Sequence, residues 1–180
     1  MRKRCEWVNN KEKIYVEYHD NEWGVPEYND DKLFELLVLE SFQAGLSWIT
    51  ILKKREYLRQ AFDNFNTSKI ILYDDDKINE LLENDKIIRH KGKIQATINN
   101  AHVFQEIQKE YGSFCRYIWN FNNNEIIYGE YLTKSDLSDK IAKDLKNKGM
   151  KYVGSTTIYS YLEAIGIINN HSKNCFKYKK

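Results

Sequence analysis

The stretch "FELLVLESFQAGLSWITIL", residues 34–52, decides the fold. It is one long apolar run broken by a single carboxylate, Glu40, and then by a Gln43-Ala44-Gly45 step. Counted as a helix, Leu33, Leu36, Leu37 and Glu40 fall at i, i+3, i+4 and i+7, so the carboxylate shares a stripe with the leucines. Two readings follow. Either the helix is short and Glu40 caps or solvates its end, or Glu40 is buried and needs hydrogen bonds or a ligand site to be tolerated. Gly45 weakens a continuous helix and places a break before Trp48. From there Trp48, Ile49, Ile51 and Leu52 continue into a second helix with a basic outer face.

Helical periodicity also governs the rest of the chain. Asp30 and Asp31 stand where an N-cap and first-turn acids belong, ahead of the Leu33 stripe. Ile78, Leu81 and Leu82 mark a short helix, and Ile94, Ile98, Ala101, Phe104 and Ile107 a long one. Ser135 is a suitable N-cap for the Leu137, Ile141, Leu145 set, which Gly149 closes. Ile158, Tyr161, Leu162 and Ile165 form a further stripe ended by Gly166. Strand signals reduce to Ile126, Ile127 and Tyr128, with no hairpin pattern around them. The expected class is all-α, in one unit over residues 1–180.

Composition sets the bounds. A hydrophobic content of 42% with 30% charged residues suits a globular chain of 180 residues. The basic N-terminus lacks the apolar segment of a secretory signal, and no run is apolar enough to span a bilayer. A cytoplasmic protein with no membrane partner is expected, and three cysteines then read as thiols or metal ligands rather than a disulfide framework. A net charge of +2 does not by itself imply a nucleic-acid partner. Aromatic residues, at 14%, crowd the first fifty positions as Trp7, Tyr15, Tyr18, Trp23 and Trp48, a set that serves a core or a pocket for a flat ligand.

Two further constellations carry chemistry. Cys5 and His19 lie near one end of the chain and His171 and Cys175 near the other, the latter pair at a spacing that shares one helical face. Together they would complete a tetrahedral Cys2His2 shell of the structural kind; the other reading is buried cysteines beside surface histidines. Residues 84–101, "NDKIIRHKGKIQATINNA", outline a short helix, a basic turn with Gly92, and a long helix. Amides at the start of that second helix could hold a phosphate, with Arg89, Lys91 or Lys93 adding charge; a plain αα-turn is the alternative.

The segments "CEWV", "YHDNEWGVP", "LESFQAGLSWITILKKRE", "IIRHKGKIQA", "KGMKYVGSTTIYSYLEAIGIINNH" and "SKNC" together resemble the bacterial 3-methyladenine DNA glycosylase I family, from Cys5 to Cys175. The stretch from about 112 to 134 is the least similar. The resemblance implies the helix-hairpin-helix glycosylase fold, with the hairpin at about 77–111, and a lobe in which one structural zinc joins the termini through Cys5, His19, His171 and Cys175. It implies a base pocket of Glu40, Trp7, Tyr15, Tyr18 and Trp48 with Trp23 nearby. Gly45 and Leu46 would fill the gap left by a flipped nucleotide, and Gly92 and Lys93 would bind phosphate. The partner is double-stranded DNA containing alkylated bases, and a monomer is expected. One departure stands beside the metal set: Asn170, where members often carry Asp, would orient the His171 ring through its carbonyl.

The chemistry that the resemblance implies is modest. N3-methylated adenine already carries positive charge and leaves as a neutral base, so no strong acid is required. An ionised Glu40 would accept hydrogen bonds from its edge, and aromatic faces would add cation–π attraction. Relatives that also cleave the strand carry a lysine two positions after the hairpin glycine; here that residue is Ile94. No aspartate occurs between Asp85 and Asp136, where many relatives place an essential one. A monofunctional glycosylase is expected, against the alternative of a damage-binding module without hydrolysis.

Overall fold

The computed structural model describes residues 2–129 and 131–179. Among these, nine α-helices account for nearly all regular structure: α1 Lys13–Asn21, α2 Asp30–Gln43, α3 Trp48–Ala61, α4 Thr67–Ile70, α5 Asp75–Glu83, α6 Lys91–Tyr111, α7 Phe114–Asn120, α8 Asp136–Asn147 and α9 Ser155–Ala164. The all-α expectation holds.

Helix α2 is the centre of the molecule, and every residue from Leu33 to Phe42 is buried. A helix apolar on all sides can only be stable when surrounded. Here α3, α6, α7 and α9 pack around it. This explains why the opening stretch reads as a continuous run rather than as one clean stripe. Its start is capped by Asn29, whose side chain accepts from the Lys32 amide. The expected cap, Asp30, is used elsewhere: its carboxylate accepts the Phe114 and Cys115 amides at 2.9 and 2.8 Å and so caps α7 instead.

The basic face expected on α3 is also redistributed. Arg55 is buried, and its Nε donates to Glu35 at 2.7 Å while Nη1 donates to Glu22 at 2.7 Å. Arg59 donates to the same Glu35 oxygen at 2.7 Å. Both arginines bind α3 to α2, Arg55 buried and Arg59 partly exposed.

Helices α5 and α6 are joined by residues 84–90, in the helix–turn–helix outline expected for 77–111. His90, not the glycine, makes the corner: its side chain accepts from the Lys93 amide and caps α6. Gly92 lies within the first turn of that helix, where an added Cβ would come 2.7 Å from the Tyr152 hydroxyl. A short parallel pair, β1 Ile127–Tyr128 against β2 Ile168–Asn169, draws the segment after α7 onto the C-terminal segment. Sequence periodicity indicates the extension at 127–128 but not its partner, which lies 41 residues away in register. The chain ends meet through the Phe176 amide, which donates to the Lys3 carbonyl at 2.9 Å.

Candidate functional site

Glu40 lies in the last turn of α2 and is only 5% exposed, so the short-helix reading is excluded. Helix α2 ends where Ala44 leaves the helical conformation (φ −47°, ψ 115°) and Gly45 adopts φ +82°, a left-handed geometry that suits glycine. The ammonium of Lys93 closes the helix end, donating to the carbonyls of Phe42 at 2.7 Å and Ala44 at 2.8 Å. Lys93 is 6% exposed and burial lowers it below the ordinary lysine range. This corrects the expectation that Lys93 contacts phosphate. Both its side chain and its amide are engaged inside the protein, and it braces the loop that carries Leu46. Leu46 itself is 39% exposed, although apolar.

Beyond this helix end opens a cavity of about 290 Å³. Trp7, Tyr15, Tyr18, Trp23, Trp48 and Glu40 all line it, so the residues assigned to one pocket from sequence do meet in space. The rings support one another at an angle: Trp7 lies 5.2 Å from Tyr15 and 4.9 Å from Trp23, and Tyr18 lies 5.3 Å from Trp48. Two buried polar atoms of this wall, Glu40 Oε2 and Trp48 Nε1, have no hydrogen-bond partner among the described residues. A buried acceptor and a buried donor left unpartnered in the wall of a cavity are a costly arrangement. Burial, with the charge of Glu163 adding to it, raises Glu40 well above the ordinary carboxyl range. Both effects work against a charge on Glu40.

Cys5, His19, His171 and Cys175 are all buried, and their donor atoms lie within 4.8 Å of one another. Cys175 Sγ is 3.4 Å from His19 Nε2 and 3.6 Å from His171 Nδ1; Cys5 Sγ is 3.6 Å from the same Nδ1. The remote nitrogen of each ring has its own acceptor: His19 Nδ1 meets Asp20 at 2.8 Å, and His171 Nε2 meets the Trp23 carbonyl at 3.1 Å. This leaves Nε2 of His19, which also lies 3.5 Å from the Cys5 amide, and Nδ1 of His171 on the side of the two sulfurs. Burial opposes ionisation of Cys5, but contacts with the His171 and His19 rings and the Ser172 amide outweigh it and bring the thiol down to about 5. The four side chains could hold a metal ion. His171 and Cys175 reach this geometry on a turn rather than on the helical face that their spacing suggests.

Comparison with known proteins shows the family. The family model described as methyladenine glycosylase matches residues 7–178. The chain belongs to the methyladenine glycosylase family. DNA-3-methyladenine glycosylase 1 of Escherichia coli (strain K12) is 41% identical over 97% of this chain and 96% of its own length. A crystal structure of 3-methyladenine DNA glycosylase I superposes with a TM-score of 0.95 at 42% identity, covering 98% of this chain and all of the other. The Staphylococcus aureus 3-methyladenine DNA glycosylase I, solved for its recognition of 3-methyladenine, gives 0.91 at 37% identity over 95% of this chain.

In this methyladenine glycosylase the cavity wall also includes residues not assigned to the pocket from sequence. Gln43, Tyr131, Leu132, Ser160 and Glu163 also line the cavity. Ser160 and Glu163 lie three residues apart on α9, a spacing that a search for paired site residues on one helical face would have found. Asp20, next to His19, is a further omission: it takes the His19 ring nitrogen on one side and the Arg4 guanidinium at 2.7 Å on the other. Asn170 does not orient the His171 ring. Its amide donates to Glu163 at 2.6 Å and to the Tyr159 hydroxyl at 2.9 Å, while the Trp23 carbonyl serves the ring.

Proposed function

We propose that this chain hydrolyses the N-glycosidic bond of 3-methyladenine in alkylated double-stranded DNA. The observation that carries the reading is the aromatic cavity with Glu40 at its wall, which presents an unpartnered acceptor among rings whose faces favour a cation. Its volume of about 290 Å³ admits a single purine and requires the nucleotide to leave the duplex. The exposed Leu46, on a loop braced by Lys93, occupies the emptied position in the stack, and the start of α6 around Gly92 meets the backbone as a helix-hairpin-helix.

A cationic base entering the cavity brings the charge that burial denies to Glu40 and draws that carboxyl to its ionised form. Tyr18 stays protonated, because burial pushes it well above its usual range, and offers a neutral ring and hydroxyl. The bond from N9 to C1′ then breaks with its electrons moving into the purine ring. The base leaves neutral, and water adds to C1′ with loss of a proton. Ile94, fully buried, replaces the lysine of strand-cleaving relatives, and Lys93 is committed to two carbonyls. The activity is monofunctional, without a Schiff-base intermediate.

The metal that the Cys2His2 set fits best is one structural zinc. Zinc–sulfur and zinc–nitrogen bonds of about 2.3 and 2.05 Å in a tetrahedron set sulfur and nitrogen about 3.6 Å apart, which the 3.4–3.6 Å separations match. Held by these four residues, a zinc ion would tie the chain ends together and would steady the pocket wall, since Trp7 packs on His19 at 5.3 Å and Trp23 on His171 at 4.7 Å.

Release of free 3-methyladenine from methylated DNA tests the function. The wild-type protein should release it, Glu40→Gln should release it at least tenfold more slowly, and borohydride should trap no covalent complex with DNA. Binding to methylated DNA with no release would establish the damage-binding module instead. Elemental analysis should find about one zinc per chain.

A further inference from the structure

Among the described residues, the cavity wall contains no lysine, arginine or histidine, yet it contains two carboxyl groups. One is Glu40, from the end of α2. The other is Glu163, from the last turn of α9, which the preceding steps have not used. Glu163 is firmly placed. Its backbone carbonyl accepts the amides of Gly24 and Gly166 at 2.9 and 3.2 Å, and the buried Asn170 amide grips its side chain at 2.6 Å. A charged group on a rigid element with a fixed partner reads a ligand more sharply than one on a loop.

We propose that Glu163 is a specificity-determining residue of the base pocket, a second carboxyl that makes selection of a positively charged purine depend on two acids rather than on Glu40 alone. This rests on the excision of 3-methyladenine argued above and names how the same site separates damaged from normal adenine. A cavity walled by aromatic faces and two acids, with no cation of its own, is left short of positive charge. A methylated purine cation supplies it. Neutral adenine has the same outline but brings no charge, and so pays for entering beside two acids without compensating either.

The ionisation of the two groups agrees with this. Burial brings Glu163 up to about 7 against the opposing Asn170 hydrogen bond, and the charge of Glu163 adds to burial in disfavouring charge on Glu40. Facing Glu163 are Glu40 from α2, Tyr18 from α1 and Asn170 from the C-terminal segment, with the Cys5 thiol further off. Asn170 has a clear purpose in this setting. Its amide nitrogen donates to Glu163 and favours the charged form of that carboxyl against the cost of burial.

The test uses the full chain and two small ligands, 3,9-dimethyladeninium, a permanent cation in which a methyl replaces the sugar, and neutral 9-methyladenine. Binding is read by tryptophan fluorescence at pH 8, for wild type and Glu163→Gln. Glutamine keeps an oxygen to accept from Asn170, so the packing is retained. The preference for the cation over the neutral ligand should fall about tenfold in Glu163→Gln, the weight of one unit charge across such a cavity at an effective dielectric near ~20. Affinity for 9-methyladenine should hold or rise. An unchanged preference overturns the proposal, and so does equal weakening of both ligands, which would make Glu163 a matter of shape. A wild-type protein with no preference for the cation also overturns it. Continued release of 3-methyladenine from DNA by that protein would leave the excision reading standing.

Discussion

Replacing Lys93 by methionine separates two accounts of the residue, a brace inside the protein and a phosphate contact. Methionine keeps most of the buried stem and removes the ammonium, which donates to the Phe42 and Ala44 carbonyls. Hydrogen bonds from a charged donor contribute roughly 1.5–3 kcal/mol each, and a cation at a helix C-terminus adds roughly 0.3–1 kcal/mol. Against these stands the cost of burying the ammonium, visible in its lowered pKa. A net loss of about 2 kcal/mol is expected, which for a chain of this size lowers Tm by roughly 4–8 °C. The loop carrying Gly45 and Leu46 loses its anchor, so 3-methyladenine excision should fall while the salt dependence of DNA binding stays unchanged. Thermal unfolding by circular dichroism and fluorescence anisotropy across a salt series provide the two readouts. A wild-type Tm together with a log–log salt slope shallower by about 1 would refute the brace and restore the phosphate contact.

Two further outcomes follow from the same contacts. Burial works against charge on Glu35, but hydrogen bonds and charge from Arg55 and Arg59 bring it down to about 2. A carboxyl with a depressed folded pKa contributes stability that is complete above its unfolded value near ~4.3 and fades as pH falls toward 2; Glu35→Gln should therefore lose about 3 kcal/mol at pH 7 in chemical denaturation, and the gap to wild type should close between about pH 4 and 2. Leu46→Ala, at an exposed position, should change stability by less than about 0.5 kcal/mol. It should slow excision from duplex DNA several-fold more than from single strands, where no stacking gap needs filling; equal slowing on both substrates would rule out the wedge.

Much of the fold and most of the pocket were legible in the residues. The helices follow from apolar spacing, because burial of one face is a property of the local sequence. The Cys2His2 set and the aromatic group were recognisable through long motifs, since metal and base contacts demand particular side chains. The environment of each group was not legible. Arg55 and Lys93 count as basic positions in the sequence, yet both are buried and hydrogen-bonded. Asp30 sits one residue past a good N-cap for its own helix and caps another. Glu163 belongs to a helix whose pattern predicts only core packing, and its place beside Glu40 depends on α2 and α9 lying against each other.

The puzzle of the carboxylate at position 40 marks the same boundary. Sequence alone determined that Glu40 shares a stripe with leucines and that a break follows it, because helical periodicity and the weakness of glycine in a helix are local effects. Only the tertiary structure decided that the helix runs on past Glu40, that Lys93 closes it from 50 residues away, and that the carboxyl opens onto an aromatic cavity shared with Glu163. Those are questions of dielectric, distance and partner, and they exist only once segments remote in the chain have been brought together.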